Sequence, residues 1–532
     1  LSLRRQRQMC IRDRCDINFI IHLYDKQYAC TTKMNYFYKI LWLKNDDNIS
    51  SNFNCCLYKS TIVHLYSITR NIKSMETTTI KDKVLNGKNA QSIRATLKAR
   101  TPKSFEIKNK GKKVSQEVIQ TVRLPHPVYM ESAEGGNMTD VDGNTYIDTT
   151  MGFGPIILGH NHPVVREAVD AQLNKGWLFG LPGEAQFELG ELLSDASPCG
   201  EEVIWANTGT EATMYAMRAA RAFTGKSKVG VFDGAYHGAH DYALLYATFE
   251  EGTDNKPNGM YVSSGISDVI KNDTLELLPY RNEVAFDLIR KNKDDLAAII
   301  LEGSQNSNPR LNNKEFLQGL RDVCTECDVL MIMDEVVTGF RVDFGGIQGY
   351  YGIKADMATY GKITGGGFPI GAVAGRKDVM AVFSGRGGDK KIFHGGTFNG
   401  NPLSMIAGKA VLSHLKENKD TIYPSLMKKG NRLANEINKF CEENEYPAQI
   451  LNAGSKFHMK FQRETINNGF DIKGFYGGEH KQAENEFYLH LLGRNVMVPG
   501  VRLAFLCDAH SDEDVTTIIE SMKESFQAVR ED

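Results

Sequence analysis

Short apolar runs recur between residues 200 and 375, and most are followed by a stretch patterned for a helix. The runs are Glu202–Ala206, Lys228–Phe232, Ala297–Leu301, Val329–Met333 and Met357–Tyr360. Strands alternating with helices argue for an α/β domain, a mostly parallel sheet with helices on both faces. Ligands of such sheets lie at the carboxyl ends of the strands, so the residues just after each run matter most. Upstream, residues 129–148 read as short strands turned at Gly135-Gly136 and Asp142-Gly143-Asn144, a small meander. Helices are expected at 163–175, entered by Asn161-His162-Pro163, and at about 184–195. From residue 403, helices at 403–417 and 422–444 precede strand-like segments near 449–461 and 495–506. Ser511-Asp512-Glu513-Asp514 then opens a last helix with acidic residues at its positive end. The expected division is a large domain at 181–402, a C-terminal small domain at 403–532, and an N-terminal segment, 75–180, contributing to the small domain.

Residues 1–74 differ in kind. Cys10, Cys15, Cys30, Cys55 and Cys56 lie there, half of the ten cysteines, without any sustained helical or strand period. Met9-Cys10-Ile11-Arg12-Asp13-Arg14 resembles translated adapter sequence, and no apolar stretch follows the basic run to make a secretory signal. A non-native or disordered extension ahead of Met75 is the expectation, with a targeting extension as the alternative. Across the 532 residues, 41% hydrophobic and 24% charged is an ordinary globular balance. A net charge of -2 sets up no field that would draw the chain to nucleic acid or membrane. No apolar run reaches eighteen residues, so no transmembrane helix is expected. Cysteine spacing matches neither a zinc site nor a disulfide framework, which fits a reducing, cytoplasmic compartment.

Candidate chemistry gathers after the strands. Asn207-Thr208-Gly209-Thr210-Glu211-Ala212 opens a helix expected at Ala212–Thr224, where backbone N–H groups, a hydroxyl and the helix dipole would suit a phosphate. A plain N-cap at Thr208 or Thr210 is the competing reading. Tyr236, in Asp233-Gly234-Ala235-Tyr236-His237-Gly238, offers a ring for a planar ligand, or simply packs at an edge. Asp334 follows a buried strand directly and must find a cationic partner or remain costly. Lys362 lies in Gly361-Lys362-Ile363-Thr364-Gly365-Gly366-Gly367-Phe368-Pro369, where the proline disfavours a helix. Sheltered in apolar surroundings, such a lysine loses basicity and becomes a nucleophile toward carbonyls; on its own, the stretch could equally be a flexible surface turn. His160 and His162 lack partners at ligand spacing and read as a structural or substrate-proximal loop; no metal is expected. Phosphate cradle, aromatic platform, strand-end aspartate and imine-forming lysine together are what pyridoxal 5′-phosphate requires.

Asp334-Glu335-Val336-Val337-Thr338-Gly339-Phe340-Arg341, together with Gly361–Ala372, resembles the signature of the class III aminotransferases. The nearest likeness is to glutamate-1-semialdehyde 2,1-aminomutases. It runs from about Arg123 to the C-terminus and includes Gly154–His160, Asn207–Thr213, Tyr236-His237-Gly238 and His394–Pro402. The resemblance implies the fold type I architecture of pyridoxal-phosphate enzymes: a mostly parallel seven-stranded sheet with a smaller α/β domain. It further implies that Lys362 forms the Schiff base and shuttles a proton, and that Asp334 holds the pyridine nitrogen protonated. Gly209 and Thr210 would bind the phosphate, Tyr236 would stack on the ring, and Gln305 would sit near the ring hydroxyl. Thr397 would reach the phosphate of a second subunit, which implies a homodimer with shared active sites.

Two departures stand out. The family usually has Glu-Pro where this chain has Glu302-Gly303, which loosens the turn leading to Gln305. The aminomutases tend to carry a glutamate ahead of their Ala-x-Phe stretch, where an ungapped match puts Arg502. A guanidinium there suits a substrate carboxylate and points to transfer between two molecules; a surface arginine is the other reading. The runner-up function is the aminomutase reaction. From another class, a non-catalytic phosphate-binding α/β protein would keep the fold without the chemistry.

Overall fold

The computed structural model describes residues 88–111, 127–253, 256–261, 263–467, 471, 481–498 and 503–530. Residues 1–74 and Arg502 lie outside them. The large sheet has seven strands in the order 202–206, 371–375, 357–361, 330–334, 296–301, 228–232, 275–278. All pair in parallel except Gly371–Gly375, which runs antiparallel to both neighbours. The five runs anticipated above are all strands, with bounds moved by no more than one residue.

These strands are mostly apolar, with most of their charged residues at the ends, because both faces are covered. In Leu296–Leu301 every residue is buried. Ala298 and Ile300 point into one core with the helix Gly209–Thr224. Ile299 and Leu301 point into the other, with Leu189 and Leu193 of Glu184–Ala196 and Leu317 and Leu320 of Lys314–Glu326. Ile332 against Met331 and Met333 repeats the division one strand over. Full burial of each such side chain stabilises the fold by roughly 1.5–3 kcal/mol, so the sheet's two-sided cover holds the large body together.

Two strands escaped the apolar-run reading. Gly371–Gly375 is nearly featureless in sequence because space forbids larger residues: a Cβ on Gly371 would collide with the Thr208 carbonyl. Leu275–Leu278 is a four-residue edge strand. The helix after the first strand begins at Gly209 rather than Ala212.

The meander forms as Met130–Glu134, Asn137–Asp140 and Thr145–Asp148. Its fourth strand, Val496–Met497, comes from the far end of the chain and pairs in parallel with Thr145–Asp148. Gln449–Ala453, Lys456–Lys460 and Leu503–Phe505 make a separate antiparallel sheet, backed by the helices Lys419–Glu443 and Asp512–Arg530. No helix among the described residues is long and apolar enough to cross a membrane.

The triple glycine is a site of close approach rather than a flexible surface turn. Lys362–Gly365 forms one 3-10 turn ahead of Pro369, and the helix Pro402–Glu417 packs directly on it. Gly366 and Gly367 have left-handed φ values of 59° and 98°. Ser404 Oγ donates to the Pro369 carbonyl at 2.6 Å. A Cβ on Gly408 would lie far inside contact with the Thr364 carbonyl. Gly408→Ala should therefore lower stability by about 1–3 kcal/mol in denaturant unfolding, although alanine is the better helix former by about 1 kcal/mol. A stabilised variant would mean that the helix can shift without cost.

Candidate active site

Asp334 ends its strand buried, with both carboxylate oxygens hydrogen-bonded. Thr359, its register partner on the parallel neighbour, donates Oγ1–H to Asp334 Oδ1 at 3.1 Å. The Val336 N–H reaches the same oxygen at 3.0 Å. His237 Nδ1 lies 2.6 Å from Oδ2, with both side chains nearly inaccessible. Sequence pattern marks His237 only as the residue that follows Tyr236. Its only signal was position, one residue beyond the ring after a strand. The imidazole fixes the orientation of the carboxylate, while Nε2 is buried with no partner among the described residues.

The turn carrying His237 is held against the first helix. Thr213 Oγ1 donates to the His237 carbonyl at 2.6 Å. Gly238 has a φ of 101°, and a Cβ on it would meet Thr210 Cα at 2.8 Å. Tyr236 stands half exposed beside Asp334, and its hydroxyl pKa rises through burial and then through that charge.

At the helix start, both competing readings hold at once. Thr208 is the N-cap: its Oγ1 accepts the Glu211 N–H at 3.1 Å, and Glu211 Oε2 accepts the Asn207 N–H at 2.6 Å. That reciprocal arrangement leaves the Gly209 and Thr210 amides unpaired among the described residues, at the positive end of a sixteen-residue helix. A Cβ on Gly209 would strike Val336 at 2.7 Å, and one on Gly361 would contact Val336 and Gly209 at 3.3 and 3.6 Å. The helix start, the Asp334 turn and the lysine turn thus converge on one spot.

Lys362 follows Gly361 with a φ of 49°, a left-handed conformation that costs a side-chain-bearing residue of order 1–3 kcal/mol. Such strain persists where the surroundings impose it. Among the described residues its amine has no hydrogen-bond partner. Its pKa is lowered chiefly by burial, with Arg341 adding to the effect and Asp334 and Glu302 opposing it.

Gln305 is fully buried, its Nε2 donating to the Asp233 carbonyl at 2.6 Å and its Oε1 without a partner among the described residues. The Glu302-Gly303 departure has a local cause: a Cβ at Gly303 would strike Ile347 at 2.6 Å. An orphaned amide oxygen at Gln305 and two free amides at a helix end fit a phosphorylated pyridine carrying a ring hydroxyl. Thr397 is exposed, and Arg502 falls outside the described residues. His160 Nε2 bonds Asp148 Oδ2 at 2.8 Å, a structural role.

Removing Asp334's charge destabilises the ammonium form of Lys362, so Asp334→Asn should lower that pKa further. In cofactor-free protein, acylation of Lys362 followed by peptide mapping should reach half-maximal rate below the pH of exposed lysines, and lower again in Asp334→Asn. A shift upward would contradict the arrangement.

The sequence profile of the class-III aminotransferase family matches residues 119–519. Glutamate-1-semialdehyde 2,1-aminomutase of Methanocella arvoryzae is 39% identical over 412 residues, covering 76% of this chain and 93% of that protein. The protein of the same name from Methanocaldococcus jannaschii is 38% identical, covering 76% and 92%. Among solved structures, an omega-transaminase from Sphaerobacter thermophilus superposes with a TM-score of 0.75 at 29% identity, covering 80% of this chain and 98% of that one. A transaminase with PLP bound gives 0.71 at 28%, covering 81% and 98%. With sequence likeness of this extent, the chain belongs to the class-III aminotransferases and is a pyridoxal 5′-phosphate-dependent transaminase or aminomutase.

Proposed function

We propose that the protein moves an amino group from a carboxylate-bearing amine to a carbonyl acceptor, with Lys362 as the base at the reacting carbon. The observation that carries this reading is the Lys362 amine, shifted toward its neutral form by burial and within reach of Asp334's charge. Bound pyridoxal phosphate supplies an aldehyde that takes up the amino group and a ring that accepts the electron pair left on the substrate carbon. The phosphate falls to the Gly209 and Thr210 amides, the ring nitrogen to Asp334, the ring face to Tyr236 and the ring hydroxyl to Gln305. Lys362 takes a proton from the substrate carbon and returns one, which needs a neutral amine. Arg502 is assigned the substrate carboxylate, for which a guanidinium offers two parallel hydrogen bonds.

Intramolecular transfer is the second reading, favoured by relatives of 38–39% identity that carry the aminomutase name. It needs no separate acceptor. A second copy of the chain is also proposed to complete the site. Leu181 and Phe393, 78% and 83% exposed, stand out with Trp177, Phe187 and Phe398 as large apolar side chains open to solvent, and Phe398 directly follows Thr397 in the chain. A cavity of about 630 Å³ is lined by Phe187, Trp205, His394 and Gly396. Cys199, Cys324, Cys327, Cys441 and Cys507 are free, buried thiols, which supports a cytoplasmic setting.

Cofactor-loaded protein should lose its visible band on reaction with amino acids and regain it with a keto acid, while Lys362→Ala should lack the wild-type band. Arg502→Ala should raise KM for carboxylate-bearing donors about tenfold or more and leave simple amines unchanged. Turnover of glutamate-1-semialdehyde without any acceptor would instead establish the second reading. Leu181→Asp combined with Phe393→Asp should shift the mass in light scattering from dimer to monomer; an unchanged mass would place the interface elsewhere.

A further inference from the structure

The loop after the strand Leu296–Leu301 carries Gln305, and a strand distant in sequence holds it from outside. Lys456–Lys460 sends Phe457 and Met459 into the core of its own sheet. By alternation, Lys456, His458 and Lys460 share the opposite face, and all three are buried. Lys456 Nζ donates to the Ser304 carbonyl at 2.7 Å and to Asn306 Oδ1 at 3.3 Å. Asn306 in turn gives its N–H to Glu302 Oε2 at 3.2 Å and its Nδ2–H to Glu302 Oε1. His458 Nδ1 lies 3.2 Å from the Asn306 carbonyl. An ammonium only donates and a carboxylate only accepts, so the Asn306 amide fits between them one way round.

Gln305 sits between these two anchored residues. Among the described residues its own side chain has one tether, to Asp233, so the backbone at Ser304 and Asn306 decides where Oε1, unpaired among them, points. Glu302 and Lys456 are 3% and 0% exposed. Burial pushes the Glu302 carboxyl up and the Lys456 ammonium down, while each charge counters the shift of the other. Two buried charges linked through an amide are expensive to keep unless their placement matters or they satisfy each other fully.

We propose that Lys456, acting through Ser304 and Asn306, is a positioning residue for Gln305, so that a strand of the small sheet sets where Gln305 meets the bound cofactor. This rests on the assignment of Gln305 to the ring hydroxyl. A purely structural pair would alter unfolding alone; a positioning pair also alters the cofactor's environment.

The test is a double-mutant cycle on Lys456→Met and Gln305→Ala, reading the cofactor Kd and the pH at which the bound cofactor's visible band changes. Lys456→Met alone should raise Kd about tenfold and shift that pH, and it should add less than about twofold in the Gln305→Ala background. If Lys456→Met does not fold, Glu302→Gln with Lys456→Met removes both charges and enters the cycle in its place. Independent, additive losses would overturn the inference, as would a wild-type Kd and band in the Lys456 variant. Wild-type Kd and band in Gln305→Ala would overturn the ring-hydroxyl assignment together with it. A wild-type chain that takes up no cofactor would overturn the proposed function itself, and this inference with it.

Discussion

A carboxylate at the end of a buried strand is the constraint around which this site is arranged. Left without partners in so dry a place, it would cost several kcal/mol. Asp334 is provided for by three elements at once: the adjacent strand through Thr359, its own turn through Val336, and the next turn but one through His237. Each supply imposes geometry. Thr359 requires the register between 330–334 and 357–361, and that register delivers Lys362 three residues further along. His237 requires the turn after 228–232 to come within hydrogen-bonding distance across the intervening strand.

Close packing of backbone does the remaining placement. Gly209 and Gly361 meet through Val336, Gly238 lies on Thr210, and Gly366 and Gly408 let a helix rest on the lysine turn. At Gly209, Gly238, Gly366 and Gly408 a methyl group would collide with a neighbour, and at Gly361 it would fit only tightly. Arg341 adds a polar tie of the same kind. Fully buried above the Phe505 ring, it donates to Gly154 O, Ser455 Oγ and Leu506 O, joining the Asp334 loop to segments far along the chain in both directions.

What could be read beforehand follows from how local each signal is. The five apolar strands, Lys362 and Asp334 carry their chemistry within a few residues of sequence, and the structure brings them to one end of the sheet. The strand Gly371–Gly375 has no such mark, since its small residues answer to the carbonyl of Thr208 across the sheet. His237 was visible as a residue but not as Asp334's partner, because 97 positions separate them. Lys456 and Asn306 are 150 positions apart, and nothing in Lys-Phe-His-Met-Lys announces a buried cation on that face. The Glu302-Gly303 departure looked like a loosened turn; Ile347 gives it a steric reason.

The meander completed by Val496–Met497 has a consequence for how the chain comes to be folded. Thr149 donates to the Met497 carbonyl across 348 positions, and Thr145–Asp148 has its outer partner only there. During synthesis the early strands emerge long before the residue pair that closes their sheet, leaving an unpaired edge throughout. Ribosome-bound chains cut short before residue 496 would carry an open strand edge, exposed to chaperones and to one another.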